Sequence, residues 1–330
     1  ADNLAAPIVA VVASRLGGLA TWCNGWNCSH PRVRNAAGAS ILSNAPAFDS
    51  VAALEPNLEL TLVRKMSIQN ARYLADHSIG GSVVVPAAVE LALCVQATAG
   101  LHAPLHPPAS TKPSWKDVSA GSIVCRDFAF PLALDVHRRR GAVVAVTAAN
   151  WTAAPRLDGQ AHPWSVVWVQ NEFGKLTATG CVGIVTTGTL ADGAFARCAA
   201  PLKLLADARN SSPTYIDVKA DIYEPGLLFH TGVFRRISAI RALMWDEAAG
   251  RGHVIARVSR TPGGVDGVMA TRESLGGLGD PLFRDGVIQC ALAIIPQEVS
   301  LPSSLSALYV HQAASFALAD ADVLDVVLTL

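Results

Sequence analysis

The sequence predicts an α+β chain in which an antiparallel sheet wraps around a long buried helix, with that arrangement stated twice. Three observations carry this prediction. Two segments, PAAVELALCVQATAG (86–100) and PLFRDGVIQCALAII (281–295), read as mostly buried helices. Each is preceded by strand-like sequence and followed by more of it. A stretch rich in Ala, Asp, Asn, Ser and Pro (191–214) separates the two halves.

In chain order, PIVAVVASRLGG (7–18) reads as one buried strand and a turn, consistent with the end of an upstream domain over 1–22. Residues 23–56 mix Trp, Cys, Asn, Pro and Gly without a sustained period of 2 or 3.6, which marks a linker or irregular lead-in. The first repeat unit spans 57–190. It opens on LELTLV (58–63), which alternates as a half-buried strand does. The helix over 86–100 has proline at its favoured first position and glycine at its stop. Strands follow over 122–128, 142–149, 164–170 and 176–185, divided by Pro, Gly, Asp and charged turns. Trp164, Val166 and Trp168 share one face of the third of these, a stripe expected in the core. After the linker at 191–214, the second unit (215–330) repeats the order: strands over 234–240 and 253–258, a glycine-rich loop, the helix at 281–295, then strands over 305–311 and 323–330. Only about 35 residues (330 minus 295) follow that helix, short for completing a second sheet, so an incomplete one is expected.

Composition narrows function. The chain has 26 basic and 26 acidic residues, without the positive balance of nucleic-acid binders. Its longest apolar tracts, 5–13 and 82–89, fall well short of the roughly 20 residues of a membrane span, so a soluble, cytoplasmic protein is expected. The opening ADNLAAP lacks an initiator methionine and a basic leader, as expected of a piece of a longer polypeptide. Cys94, Cys125, Cys181 and Cys290 lie in apolar segments as small hydrophobes, and the seven cysteines indicate no disulfide framework. Cys23, Cys28 and His30 cluster without zinc-knuckle spacing, so no metal site is expected.

The chemistry concentrates in DHSIGGSVVVP (76–86). His77 ends an extended segment, Gly80 and Gly81 allow the backbone close to a ligand, and Pro86 opens the helix. Free amides at a helix start favour negative charge, and a histidine beside them is a candidate base for removing a proton next to a carbonyl. A histidine that merely caps a turn is the competing reading. In the second helix Asp285 and Gln289, four residues apart, share one face. If that face is buried, desolvation should raise the Asp285 pKa enough for it to hold a proton. If it is exposed, Asp285 is an ordinary carboxylate beside Arg284.

HSIGGSVVVP fits HxxxGxxxxP and DGVIQ fits DxxxQ, in that order and 208 residues apart (285 minus 77). The pair resembles the two catalytic motifs of polyketide synthase dehydratase domains, over roughly 57–330. The resemblance implies a double hotdog fold, with one motif from each hotdog. RYLADHSIGG, VVVPAAVELAL, YEPGLLFHTGVFRRI and LGDPLFRDGVIQCAL look closest to dehydratases of iterative synthases that make enediyne polyenes, relatives of polyunsaturated fatty acid synthases. VAVVASRLGGL likewise resembles a ketoreductase tail.

The resemblance implies that His77 abstracts the α-proton of a 3-hydroxyacyl thioester while Asp285, oriented by Gln289, protonates the departing hydroxyl. It also implies that the Gly81 amide binds the thioester carbonyl and that Pro86 fixes the turn into the helix. The usual motif GYxYGPxF falls on LLFHTGVF (227–234), placing His230 at a tyrosine's position and Gly232 at a proline's. His230 either replaces the tyrosine as a donor or packs; Tyr223 has no assigned role. The implied partners are acyl carrier protein, which supplies the phosphopantetheine arm, and the other domains of a megasynthase; no further cofactor is implied, and related domains commonly form homodimers. A product-template-like cyclase, a double-bond isomerase and a non-catalytic carrier-docking module are the alternatives on this scaffold.

Overall fold

The computed structural model describes residues 42, 45, 47–55, 59–102, 122–151, 164–185, 216–246, 251–259, 280–292, 301–311 and 323–329. The tail at 1–22, the cluster of Cys23, Cys28 and His30, and the linker at 191–214 lie outside them. The first half contains β1 (Ser50–Glu55), β2 (Glu59–Met66), β3 (Ser78–Ile79), β4 (Ser82–Val84), α1 (Ala87–His102), β5 (Ser122–Ala129), β6 (Asp135–Val136), β7 (Ala142–Asn150), β8 (Trp164–Asn171) and β9 (Leu176–Val185). The second contains β10 (Ile237–Asp246), β11 (Arg251–Ser259), α2 (Pro281–Leu292), β12 (Ser304–His311) and β13 (Val323–Thr329).

Seven antiparallel strands form the large sheet in the order β1-β2-β7-β8-β9-β5-β12, while β10-β11-β13 and β3-β4-β6 form smaller sheets. The large sheet curves around α1, which packs on β2, β7, β8 and β9. The Pro86 carbonyl starts this helix by accepting from the amides of Val89 and Glu90 at 2.9 and 3.2 Å. Thirteen of its sixteen residues are buried, which explains why its sequence shows no apolar stripe: every face meets protein. The partly polar α2 packs on β10, β11 and β13 on one side and on α1 on the other. Gly286 permits that approach, because a Cβ there would lie 2.5 Å from the Arg236 Cβ and 2.9 Å from a Val258 methyl. This is an α+β fold of antiparallel sheets, with one helix laid against the seven-stranded sheet and one against β10-β11-β13, as expected.

Three local expectations need correction. Residues 50–55, read as lead-in, form the edge strand β1 against β2, because SVAALE is too short and too weakly alternating to register as a strand by itself. The strand expected from 234 starts at Ile237, since Gly232–Phe234 form a 3-10 turn. The division at 191–214 is not clean either: β12, assigned to the second unit, pairs along its length with β5 of the first. Three described strands therefore remain in the second sheet. Trp164 and Trp168 are buried as expected, clustered with Val124, Val166 and Cys181. The core around α1 also includes Val233, Phe234 and Leu282 from the second half, so the two halves meet along an apolar seam. Among the described residues no helix is long and apolar enough to cross a membrane.

Candidate active site

His77 is fixed by the chain on both sides of it. The 3-10 turn Arg72–Asp76 ends there, and the His77 amide donates to the Leu74 carbonyl at 3.0 Å. Beyond it, β3 and β4 form a hairpin closed by Gly80 and Gly81, at φ of 57° and 88°. Two consecutive positive φ values are those of a two-residue type I′ turn, open to glycine but costly for most residues. A Cβ on either glycine would meet nothing within 4 Å, and both are exposed. Their positive φ values therefore give them a conformational role in closing the turn. The hairpin brings the Val84 carbonyl back to His77, whose Nδ1 lies 2.7 Å from it. A carbonyl can only accept, so Nδ1 carries the proton and Nε2 presents a lone pair.

Asp285 and Gln289 do share a face of α2, and that face is buried. Gln289 Nε2 donates to Asp285 Oδ2 and to the Phe234 carbonyl, both at 2.8 Å. Its Oε1 accepts from the Tyr223 hydroxyl at 2.8 Å, and that oxygen accepts the Ile237 amide at 3.1 Å. Tyr223 ends a π-helical turn, Val218–Tyr223, capped by the Asp217 side chain. It is thus the prop for Gln289, a role that no spacing within its own segment announces.

His230 stands between the two motifs. Its Nε2 lies 3.3 Å from Asp285 Oδ2, its ring stacks on Phe229 at 4.0 Å, and its centroid is 5.1 Å from that of His77. Its buried Nδ1 has no hydrogen-bond partner. The His230 loop is tied directly to the residue before His77: Asp76 Oδ2 accepts the Val233 amide at 3.0 Å and the Asp76 carbonyl accepts the Thr231 amide at 3.0 Å. Gly232, at φ 45°, is required here, because a Cβ would enter the Asp76 carboxylate. Asp76 was missed from sequence because its partners lie 155 and more residues away.

Electrostatics separates the groups. Burial pushes His77 down to about 4; Asp285 opposes that shift and His230 adds to it. Burial alone would raise Asp285, as expected from the sequence, but the hydrogen bond and charge of His230, then the charge of His77 and the bond from Gln289, outweigh it and hold the carboxyl below its usual range. The expectation that Asp285 itself stores the proton is corrected by neighbours that desolvation arguments leave out. One ligand atom from each of His77, His230 and Asp285 fall within 4.8 Å of one another. Such a set could hold a divalent transition metal, and it equally suits proton transfer between two faces of a small substrate. Gly81 lies at the hairpin tip and Pro86 at the helix start; their described contacts do not include the His77–Asp285 pair.

The fold and this site define a class: a two-part α+β chain with a histidine from one part facing an aspartate from the other. No protein-family model matches the sequence, and no curated protein matches it. Solved structures do. The dehydratase domain from the CurJ module of curacin polyketide synthase has a TM-score of 0.55 at 17% identity, covering 86% of this chain and 84% of that one. The CurK dehydratase domain of the same synthase gives 0.51 at 14%, covering 80% of each chain. The dehydratase domain of the terminal module of the rifamycin polyketide synthase gives 0.50 at 17%, covering 86% of each. The chain thus has the fold of polyketide synthase dehydratase domains.

Proposed function

We propose that the chain is a dehydratase that removes water from 3-hydroxyacyl thioesters carried on acyl carrier protein. The observation that carries this reading is the gathering of His77, His230 and Asp285 within 4.8 Å of one another across the seam, with His77 Nε2 left as a free base. A His-to-Phe mutant of the CurJ dehydratase and an Asp-to-Asn mutant of the CurK dehydratase are both described as inactive, which supports assigning chemistry to one residue of each type.

His77 Nε2 takes the proton from C2, and the electron pair moves toward the thioester carbonyl. The C3–O bond then breaks, and the departing hydroxide takes a proton from the His230–Asp285 pair and leaves as water. The 2-enoyl thioester remains, and the proton on His77 is exchanged for the one the pair has lost. Because Asp285 is held ionised, its part is to orient the hydroxyl and hold His230 as the donor. This assigns His230 as the functional replacement for a tyrosine. Gln289 positions Asp285, and Pro86 starts α1. The motif segments favour an iterative, polyene-forming synthase working in the cytoplasm as the setting, with the other synthase domains as neighbours.

The test is mass spectrometry of a 3-hydroxyacyl carrier-protein thioester incubated with the chain. Loss of one water with wild type and not with His77→Ala is expected. No water loss, with a shifted double bond when a 2-enoyl carrier-protein thioester is supplied instead, would make it an isomerase, and a cyclised product a cyclase.

A further inference from the structure

A second feature sits beside the hairpin that carries His77. The turn after β6 holds Arg138, Arg139 and Arg140, all exposed. It is a built turn: the amides of Arg139 and Arg140 both donate to His137 Nδ1 at 3.2 Å, and the Gly141 amide donates to the His137 carbonyl at 2.7 Å. None of the three guanidiniums has a hydrogen-bond or ion-pair partner among the described residues. Arg64 and Arg236, by contrast, are buried and reach Asp49 and Asp280. Arg138 and Arg139 line a cleft of about 400 Å³ together with Gly81, Ser82 and Val83 of the hairpin and with Asp135, Val136 and His137.

The cleft's position gives it meaning. Pairing of β4 with β6, Val83 with Val136, binds the arginine turn to the hairpin whose Val84 carbonyl holds His77. Gly81 is four residues from His77, so the cleft wall lies within about 14 Å of the base along the chain. That is less than the length of an extended pantetheine arm. Guanidiniums match phosphate oxygens in bidentate geometry. The even charge balance of the chain, 26 against 26, argues against a long polyanion and for one localised anion.

Building on the dehydratase reading, we propose that Arg138 and Arg139 in this cleft bind the phosphate of the phosphopantetheine arm and set how far its thioester reaches toward His77. Asp135 faces the same cleft and keeps its charge modest, which favours release after each turnover.

Titration calorimetry with 4′-phosphopantetheine and with pantetheine tests this without relying on turnover. Wild type should bind the phosphorylated form at least about tenfold more tightly, and the double variant Arg138→Ala, Arg139→Ala should lose that preference. In kinetics the double variant should raise KM for the carrier-bound substrate at least about tenfold with kcat held, and leave an N-acetylcysteamine thioester unaffected. Equal binding of both compounds by wild type would overturn the proposal, as would a KM rise for the phosphate-free thioester. A KM effect confined to the carrier-bound substrate, with phosphopantetheine binding unchanged, would also overturn it, showing that the arginines meet the acidic surface of the carrier instead. If wild type dehydrates nothing, the catalytic reading falls, and the titration still decides the cleft.

Discussion

His77 owes its reactivity to a single carbonyl. With Nδ1–H committed to Val84 and burial pushing the pKa down to about 4, the imidazole is neutral and its Nε2 free throughout the physiological range. The acid limb of kcat/KM for dehydration should therefore lie near pH 4, well below the ordinary histidine value of about 6.5. A limb near 6.5 would mean that substrate-free His77 is solvated. His77→Ala and Asp285→Asn should each lower kcat at least about a hundredfold with the fold intact by circular dichroism. His230→Phe keeps the stacking on Phe229 and removes the hydrogen bond to Asp285, so kcat should fall about a hundredfold with little change in KM. An unchanged rate would reduce His230 to a packing residue. At this scale the sequence was informative where a role depends on local spacing, as for His77, Asp285 and Gln289. It was silent on Asp76 and Tyr223, and misleading on the charge of Asp285. Each of those depends on a group brought in by the tertiary fold, such as His230, 55 residues before Asp285 (285 minus 230).

At the scale of elements, α1 carries an unusual carboxyl. Glu90 is buried within the first turn and one of its oxygens has no hydrogen-bond partner. Burial raises its pKa to about 8, with only a bond from Thr177 opposing the shift. In the folded chain it stays protonated at neutral pH, whereas in the unfolded chain it ionises near 4.5. Its contribution to stability is therefore full below about 4.5 and lost as pH rises toward 8. Glu90→Gln removes this loss, and at pH 8 should stabilise the protein by on the order of 3 kcal/mol, read from denaturant midpoints against the same variant at pH 5. His77 works in the opposite sense: its depressed pKa means that stability is lost as pH falls from about 6.5 toward 4. Both long helices and most strands were legible because their periodicity and their Pro and Gly punctuation are local. The β3–β4 hairpin was not, since its strands of two and three residues are too short to alternate visibly.

For the whole molecule, the two halves of the chain are interlocked. β12 completes the sheet of the other half, Asp76 grips the His230 loop, and α1 lies against α2. The chain should consequently unfold as one cooperative unit: denaturation followed by fluorescence of the buried Trp164 and Trp168 should coincide with the far-UV transition. Two separated transitions would show that the halves are independent. Gly232→Ala should act across the same joint, pushing on Asp76 and lowering both the denaturation midpoint and, at least about tenfold, the rate of dehydration. No periodicity encodes which half a strand joins, and that is why the exchange of β12 was invisible in the sequence.

The two-residue turn at Gly80–Gly81 also limits which insertions and deletions the chain can survive. The His77–Val84 bond closes over a fixed number of residues, and adding one would turn β4 over and point the Val84 carbonyl away from the ring. The exposed Ser82 can vary in identity, but the loop cannot vary in length. A library of single-residue insertions through 78–84 should yield dead enzymes almost uniformly, while one at Ser82 with every side chain sampled should leave many active.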